Sequence, residues 1–156
     1  MVAQLDQTGN KKADCVAALS GVLADTYVLY LKTHNFHWNV EGPRFRSLHQ
    51  MFEEQYQTLW RSIDEIAERI RALGQYAPGT SAKLKALAAV KETEAIPKCD
   101  DMLRQLIVDN ETVMDTINVG LRAAQSAGDE ATVSLLSDRL AYHEKQLWMM
   151  RSTLVS

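Results

Sequence analysis

Residues 37–68 read HWNVEGPRFRSLHQMFEEQYQTLWRSIDEIAE, and they decide what kind of fold this chain can adopt. Gly42-Pro43 breaks the backbone near the start. From Arg44 to Leu73 nothing interrupts a helix: Pro43 suits a first helical turn and Gly74 a C-terminal stop. At about 100° per residue, Phe45, Leu48, Phe52, Leu59, Ile63, Ile66, Ile70 and Leu73 fall on one apolar stripe. Steps of three and four are what a bundle-facing helix needs. His49, Glu53, Asp64 and Glu68 form a second stripe, rotated by roughly 120° from the first. All four are metal-ligand types. Charged faces are usually no more than solvated surface, so the stripe alone leaves both readings open.

The spacing adds a constraint. His49 and Glu53 are neighbours at i, i+4, as are Asp64 and Glu68. The two pairs lie roughly 22 Å apart along a straight helix, whereas a metal–ligand bond is about 2 Å long. One helix cannot bring both pairs to one ion, but a two-fold axis can. With two copies antiparallel and the axis between Tyr56 and Trp60, His49/Glu53 of one chain faces Asp64/Glu68 of the other. A two-fold contact is self-complementary, so two identical sites form. Tyr56 and Trp60 lie on the ligand stripe itself, where large aromatics suit a buried subunit contact.

Composition sets the bounds. A chain of 156 residues fits one domain with a core of its own. No apolar run approaches the ~20 residues of a bilayer span, and the start, MVAQLDQTGNKKAD, lacks a signal core; the expectation is a cytoplasmic protein without membrane association. Cys15 and Cys99 stand far apart with no CxxC, which favours free thiols. A net charge of −3 argues against a surface built throughout for nucleic acid.

Along the chain, residues 1–12 read as a flexible tail, and 13–156 as one bundle domain. The tail's Lys11 and Lys12 make only a slight DNA-binding arm. A first helix is expected from about Ala13 to Asn39, with Val16, Leu19, Leu23 and Tyr30 on one face and His37 returning to it. His34 reads as a supporting or surface group. The connection 74–97 is far longer than the 2–8 residues usual between antiparallel neighbours. It is a crossover that carries a short helix between Ser81 and Val90, with Leu84, Leu87 and Ala88 as its apolar side. Two more long helices follow, about Lys98 to Ala127 and Asp129-Glu130 to about Thr153, and His143 sits on the core seam of the last. Four long helices, one crossover of the kind found in ferritin-like folds and no strand pattern predict an all-α four-helix bundle.

Histidines beside carboxylates, without thiolates, fit iron best among redox metals. There is no HExxH for a zinc protease. There is also no ExxH of the kind that builds a di-iron site inside one bundle, which again places the site between subunits.

HWNV, LHQMFEE and IDEIAERI, at their spacing, together with the closing HEKQLWMMRS, resemble the Dps family of miniferritins over nearly the whole chain. That resemblance implies a hollow shell of twelve subunits built from two-fold dimers. It implies oxidation of Fe(II), preferably by hydrogen peroxide rather than O2, and storage as ferric mineral, with two irons per site. By position it places His37, His49 and Glu53 on one chain and Asp64 and Glu68 on its mate. Position 53 is often Asp in the family; Glu keeps the carboxylate but changes its reach. Trp38 matches the family's tryptophan beside the site, an electron donor or simply interface packing. Acidic pore residues are expected near the start of the last helix, at Asp129, Glu130 and Asp138, where acids also serve as caps. DNA binding varies within the family. A DNA-compacting stress protein associated with the nucleoid is the alternative to a ferroxidase, and a structural zinc site is the third reading.

Overall fold

The computed structural model describes residues 2–155, with side chains described from residue 9. Its helices are α1 (Val2–Asn39), α2 (Phe45–Ala72), α3 (Ser81–Leu87), α4 (Cys99–Ala127) and α5 (Glu130–Leu154), and no strand occurs among the described residues. α1 packs on α2, α4 and α3, and α4 packs on α5. The core fills with Leu19, Leu23 and Phe36 of α1, Leu48, Phe52 and Ile66 of α2, Leu103 and Ile117 of α4, and Leu136 and Met150 of α5, each essentially inaccessible.

Helix ends follow local chemistry. Gly74 takes φ 87° just past α2, and Gly128 takes φ 68° past α4, a left-handed conformation that glycine adopts at little cost. The amide of Gly128 closes α4 by donating to Ala124 and Gln125 carbonyls. Asp129 then caps α5, its carboxylate accepting from the Thr132 amide at 3.1 Å.

Cross-helix pairs reveal the direction of each helix. Asp25 meets Thr116 and Lys32 meets Asp109, so α1 and α4 run antiparallel. His37 meets His49, His34 meets Tyr56 and Tyr30 meets Trp60, so α1 and α2 do too. α2 and α4 are therefore parallel, and the chain between them must return the length of the bundle. Buried polar groups hold that return in place. The Asp25 carboxylate, fully buried, accepts from the Ala89 and Val90 amides at 2.6 and 3.0 Å and from the Thr116 hydroxyl at 2.6 Å. Lys32 Nζ pairs with Asp109 at 2.7 Å and donates to the Lys91 carbonyl at 3.1 Å.

Several expectations need correction. α1 begins at Val2, not near Ala13. Nothing between Val2 and Ala13 breaks the helix: Gly9 costs roughly 1 kcal/mol relative to alanine without ending it, and residues 9–14 continue it while staying exposed. The short crossover helix ends at Leu87, since Asp25 draws the next amides out of helical register. Leu87 is exposed, and only Leu84 and Ala88 of its expected apolar side are buried. Phe45 leaves the core stripe and is 45% exposed. Gly9–Asn39 also contains a stretch apolar and long enough to cross a membrane on those counts alone. Here it is the central helix of the bundle, half of that window is buried, and it carries the buried charges Asp25 and Lys32.

Candidate metal centre

Two histidines meet where α1 ends and α2 begins. The turn at residues 40–44 is short enough to set the last turn of α1 beside the first of α2. His37 and His49 stack there, ring centroids 3.8 Å apart and planes 17° from parallel. His37 Nδ1 lies 2.8 Å from the His49 carbonyl, and His49 Nδ1 lies 2.7 Å from the His37 carbonyl. A carbonyl only accepts, so each Nδ1 is the donor and carries the proton. Each Nε2 of the neutral rings is then an unprotonated lone pair, the form in which imidazole binds metal. His37 is buried and His49 half-buried.

The carboxylates lie further along α2. Glu53, half-buried one turn after His49, accepts from Gln57 at 3.4 Å. Asp64 and Glu68 are exposed on the same flank. Within one chain they stay roughly 22 Å from the histidine pair along the axis, and among the described residues no three His, Cys, Asp or Glu side chains group closely enough to hold a metal ion. One chain thus brings together His37 and His49 and leaves the acidic pair apart.

An aromatic surface borders the histidines. Tyr30, His34 and Trp38 are spaced by four along α1. Opposite them on α2 stand Tyr56 and Trp60. His34 stacks on Tyr56 at 3.8 Å and contacts Trp38 at 4.0 Å, and Tyr30 contacts Trp60 at 5.3 Å. Tyr30 also hydrogen-bonds His34 through its hydroxyl at 3.2 Å. Burial, and then the neighbouring His37, lower the His34 pKa. Trp38 and Trp60 remain 59% and 60% exposed. Two bare tryptophans, one on each of the facing helices α1 and α2, are unusual for a surface in water and mark an interaction face.

The other candidates separate clearly. His143 is buried, and its Nδ1 lies 2.7 Å from Asn110 Oδ1, which makes it a core histidine. Asp129 is occupied: besides capping α5 it pairs with Arg69 at 2.7 Å. Burial alone would raise its pKa, but hydrogen bonds from Thr132 and Arg69 hold it below the usual value. Glu130 and Asp138 are exposed, as are Lys11 and Lys12. The spacing did not point to the reciprocal histidine–carbonyl bonds, and no sequence pattern encodes them. The i, i+4 aromatics of α1 do carry a signal, which Tyr30's inward assignment obscured.

The ferritin-like domain family matches residues 16–156. The chain belongs to the Dps branch of that family. A DNA protection during starvation protein of Bacillus anthracis is 36% identical over 89% of this chain and 95% of that one. An uncharacterised low-temperature-induced protein of Nostoc is 37% identical over 93% of this chain and 82% of its own length. Dps from Thermosynechococcus elongatus superposes with a TM-score of 0.93 at 28% identity, covering 96% of each chain. Dps from Vibrio cholerae, described as one of a superfamily of ferritin-like diiron-carboxylate proteins, gives 0.90 at 31% over 94% of this chain and 92% of that one. The Dps architecture of this chain therefore extends over almost its full length.

Proposed function

We propose that this chain is the subunit of a ferroxidase and iron store whose metal sites are shared between two copies. The carrying observation is the His37–His49 pair. The pair holds both Nδ1 atoms on backbone carbonyls, which leaves each Nε2 to bind metal; His49 shares its helix with Glu53, Asp64 and Glu68, and a bare aromatic face lies alongside. An antiparallel mate laid on that face brings its Asp64 and Glu68 to the histidines, and Trp60 and Tyr56 become the centre of the contact.

Iron is the substrate. Neutral imidazoles bind Fe(II), and three carboxylates favour Fe(III) once it forms. Each Fe(II) gives up one electron. Hydrogen peroxide accepts two as its O–O bond breaks, and two protons complete two waters. Glu53 would hold the second iron, and Trp38, one turn from His34, would pack the interface or donate an electron to stray oxidant. Twelve such subunits would enclose a cavity for ferric mineral in the cytoplasm. Glu130 and Asp138 are the free acids for iron entry, since Asp129 is held by Arg69 and its own cap.

DNA is the second reading, favoured by the exposure of Lys11 and Lys12 on the first turns of α1. Two lysines per chain, even multiplied by a shell, give an attachment that salt removes. A gel shift that persists at physiological salt would reverse this ranking, and tight zinc in purified protein would replace both readings. The direct test adds Fe(II) without oxygen, then peroxide. A fast ferric absorbance rise is expected from the native chain, reduced at least about a hundredfold in His49→Ala and in Asp64→Ala, since each substitution removes a direct metal ligand. A full-rate rise in both variants sinks the proposal.

A further inference from the structure

Phe45 departs from its sequence pattern more than any other large side chain near the site. Its spacing belongs to the core stripe, yet it is 45% exposed, with its ring stacked on His49 at 4.9 Å and 27°. His37 already stacks on His49 at 3.8 Å. One imidazole face cannot seat two stacked rings, so His49 lies between them. Its Nδ1 bond to the His37 carbonyl pins one atom of the ring and leaves the plane free to rock about it. Flat contacts on both faces remove that freedom.

We propose that Phe45 is a positioning residue for the metal centre: packed on the outer face of His49, it fixes the imidazole plane and so sets how tightly the histidine pair takes a divalent transition metal. This rests on the reading of His37 and His49 as ligands. A ring that rocks must be stilled each time metal binds, and that ordering weakens affinity. A favourable aromatic contact corresponds to a severalfold change in an equilibrium constant, and residues supporting a metal-bound histidine shift affinity by about 10–100-fold. Because Phe45 is nearly half exposed, shortening it opens little of the core.

The test titrates the metal-free assembled protein with Co(II) without oxygen and follows the visible absorption of the bound ion. His49→Ala shows which signal belongs to this site. Phe45→Leu is expected to weaken Co(II) binding roughly three- to tenfold, with melting temperature and sedimentation unchanged, and Phe45→Tyr to restore it. Native affinity in Phe45→Leu overturns the inference while leaving the ferroxidase proposal standing. So does a loss that tracks melting or disassembly and that Phe45→Tyr fails to restore. A native protein that binds no Co(II) at His49 overturns both.

Discussion

Two histidines that look alike in sequence sit in different surroundings, and the difference lies in what each Nδ1 finds. His37 and His143 both fall on inward stripes. His37 Nδ1 donates to the His49 carbonyl in the second turn of α2, which leaves Nε2 of the neutral ring without a proton. His143 Nδ1 meets Asn110 Oδ1 in the closed core, with the Asn110 amide in turn donating to the Leu106 carbonyl at 2.7 Å. Burial, with the Arg139 charge second, lowers the His143 pKa to about 3 from 6.5. The unfolded chain takes up a proton near pH 6.5 that the folded chain refuses until about pH 3. Stability is therefore intact above that window and falls through it as pH drops, at up to about 1.4 kcal/mol per unit. His143→Gln keeps a polar partner for Asn110 but does not titrate. Its melting temperature should fall less between pH 7 and pH 4 than that of the native chain. Parallel curves would mean that another group governs the acid limb.

At the scale of elements, the helices were legible because their apolar positions recur every three or four residues and because Pro43, Gly74 and Gly128 mark the ends. The stripe of His49, Glu53, Asp64 and Glu68 is legible for the same reason, since a helix converts spacing into a face; that it binds metal is the proposal. The path of the crossover is not legible. It depends on Asp25 and Lys32, which in sequence are two charges in an apolar helix with no visible partners. Their partners lie 59 to 91 positions away, and only the assembled bundle shows them. The start of α1 at Val2 is not legible, because a polar segment with nothing to bury can still extend an existing helix. Asp25→Ala should show what the clasp contributes. It leaves two amides and a hydroxyl without their acceptor, at about 1–3 kcal/mol for each buried group that finds no replacement. We expect a loss of about 2–5 kcal/mol in denaturant unfolding, with faster hydrogen exchange at Ala89 and Val90 than across α2. A change under 1 kcal/mol would show that water replaces the carboxylate.

For the whole molecule the question is whether one chain owns a site, and complementation decides it. His49→Ala removes an imidazole from one half of each site, and Asp64→Ala removes a carboxylate from the other half. If sites lie within single chains, mixing the two dead variants restores nothing. If they are shared across a two-fold contact, a mixed dimer has one site that lacks both groups and one that keeps every ligand. Dissociating the variants together and reassembling them at random makes half of the dimers mixed, with half of their sites intact. Peroxide-driven iron oxidation should then return to about a quarter of the native rate, a fraction set by the isologous symmetry of the contact. The mixture must also show native sedimentation, because Trp60 and Tyr56 have to be covered for the halves to meet. Reassembly to native size without any recovered oxidation would place the complete centre inside one subunit and contradict the shared pocket. Recovery that disappears when Trp60→Glu is introduced into both variants would tie the chemistry to that aromatic face.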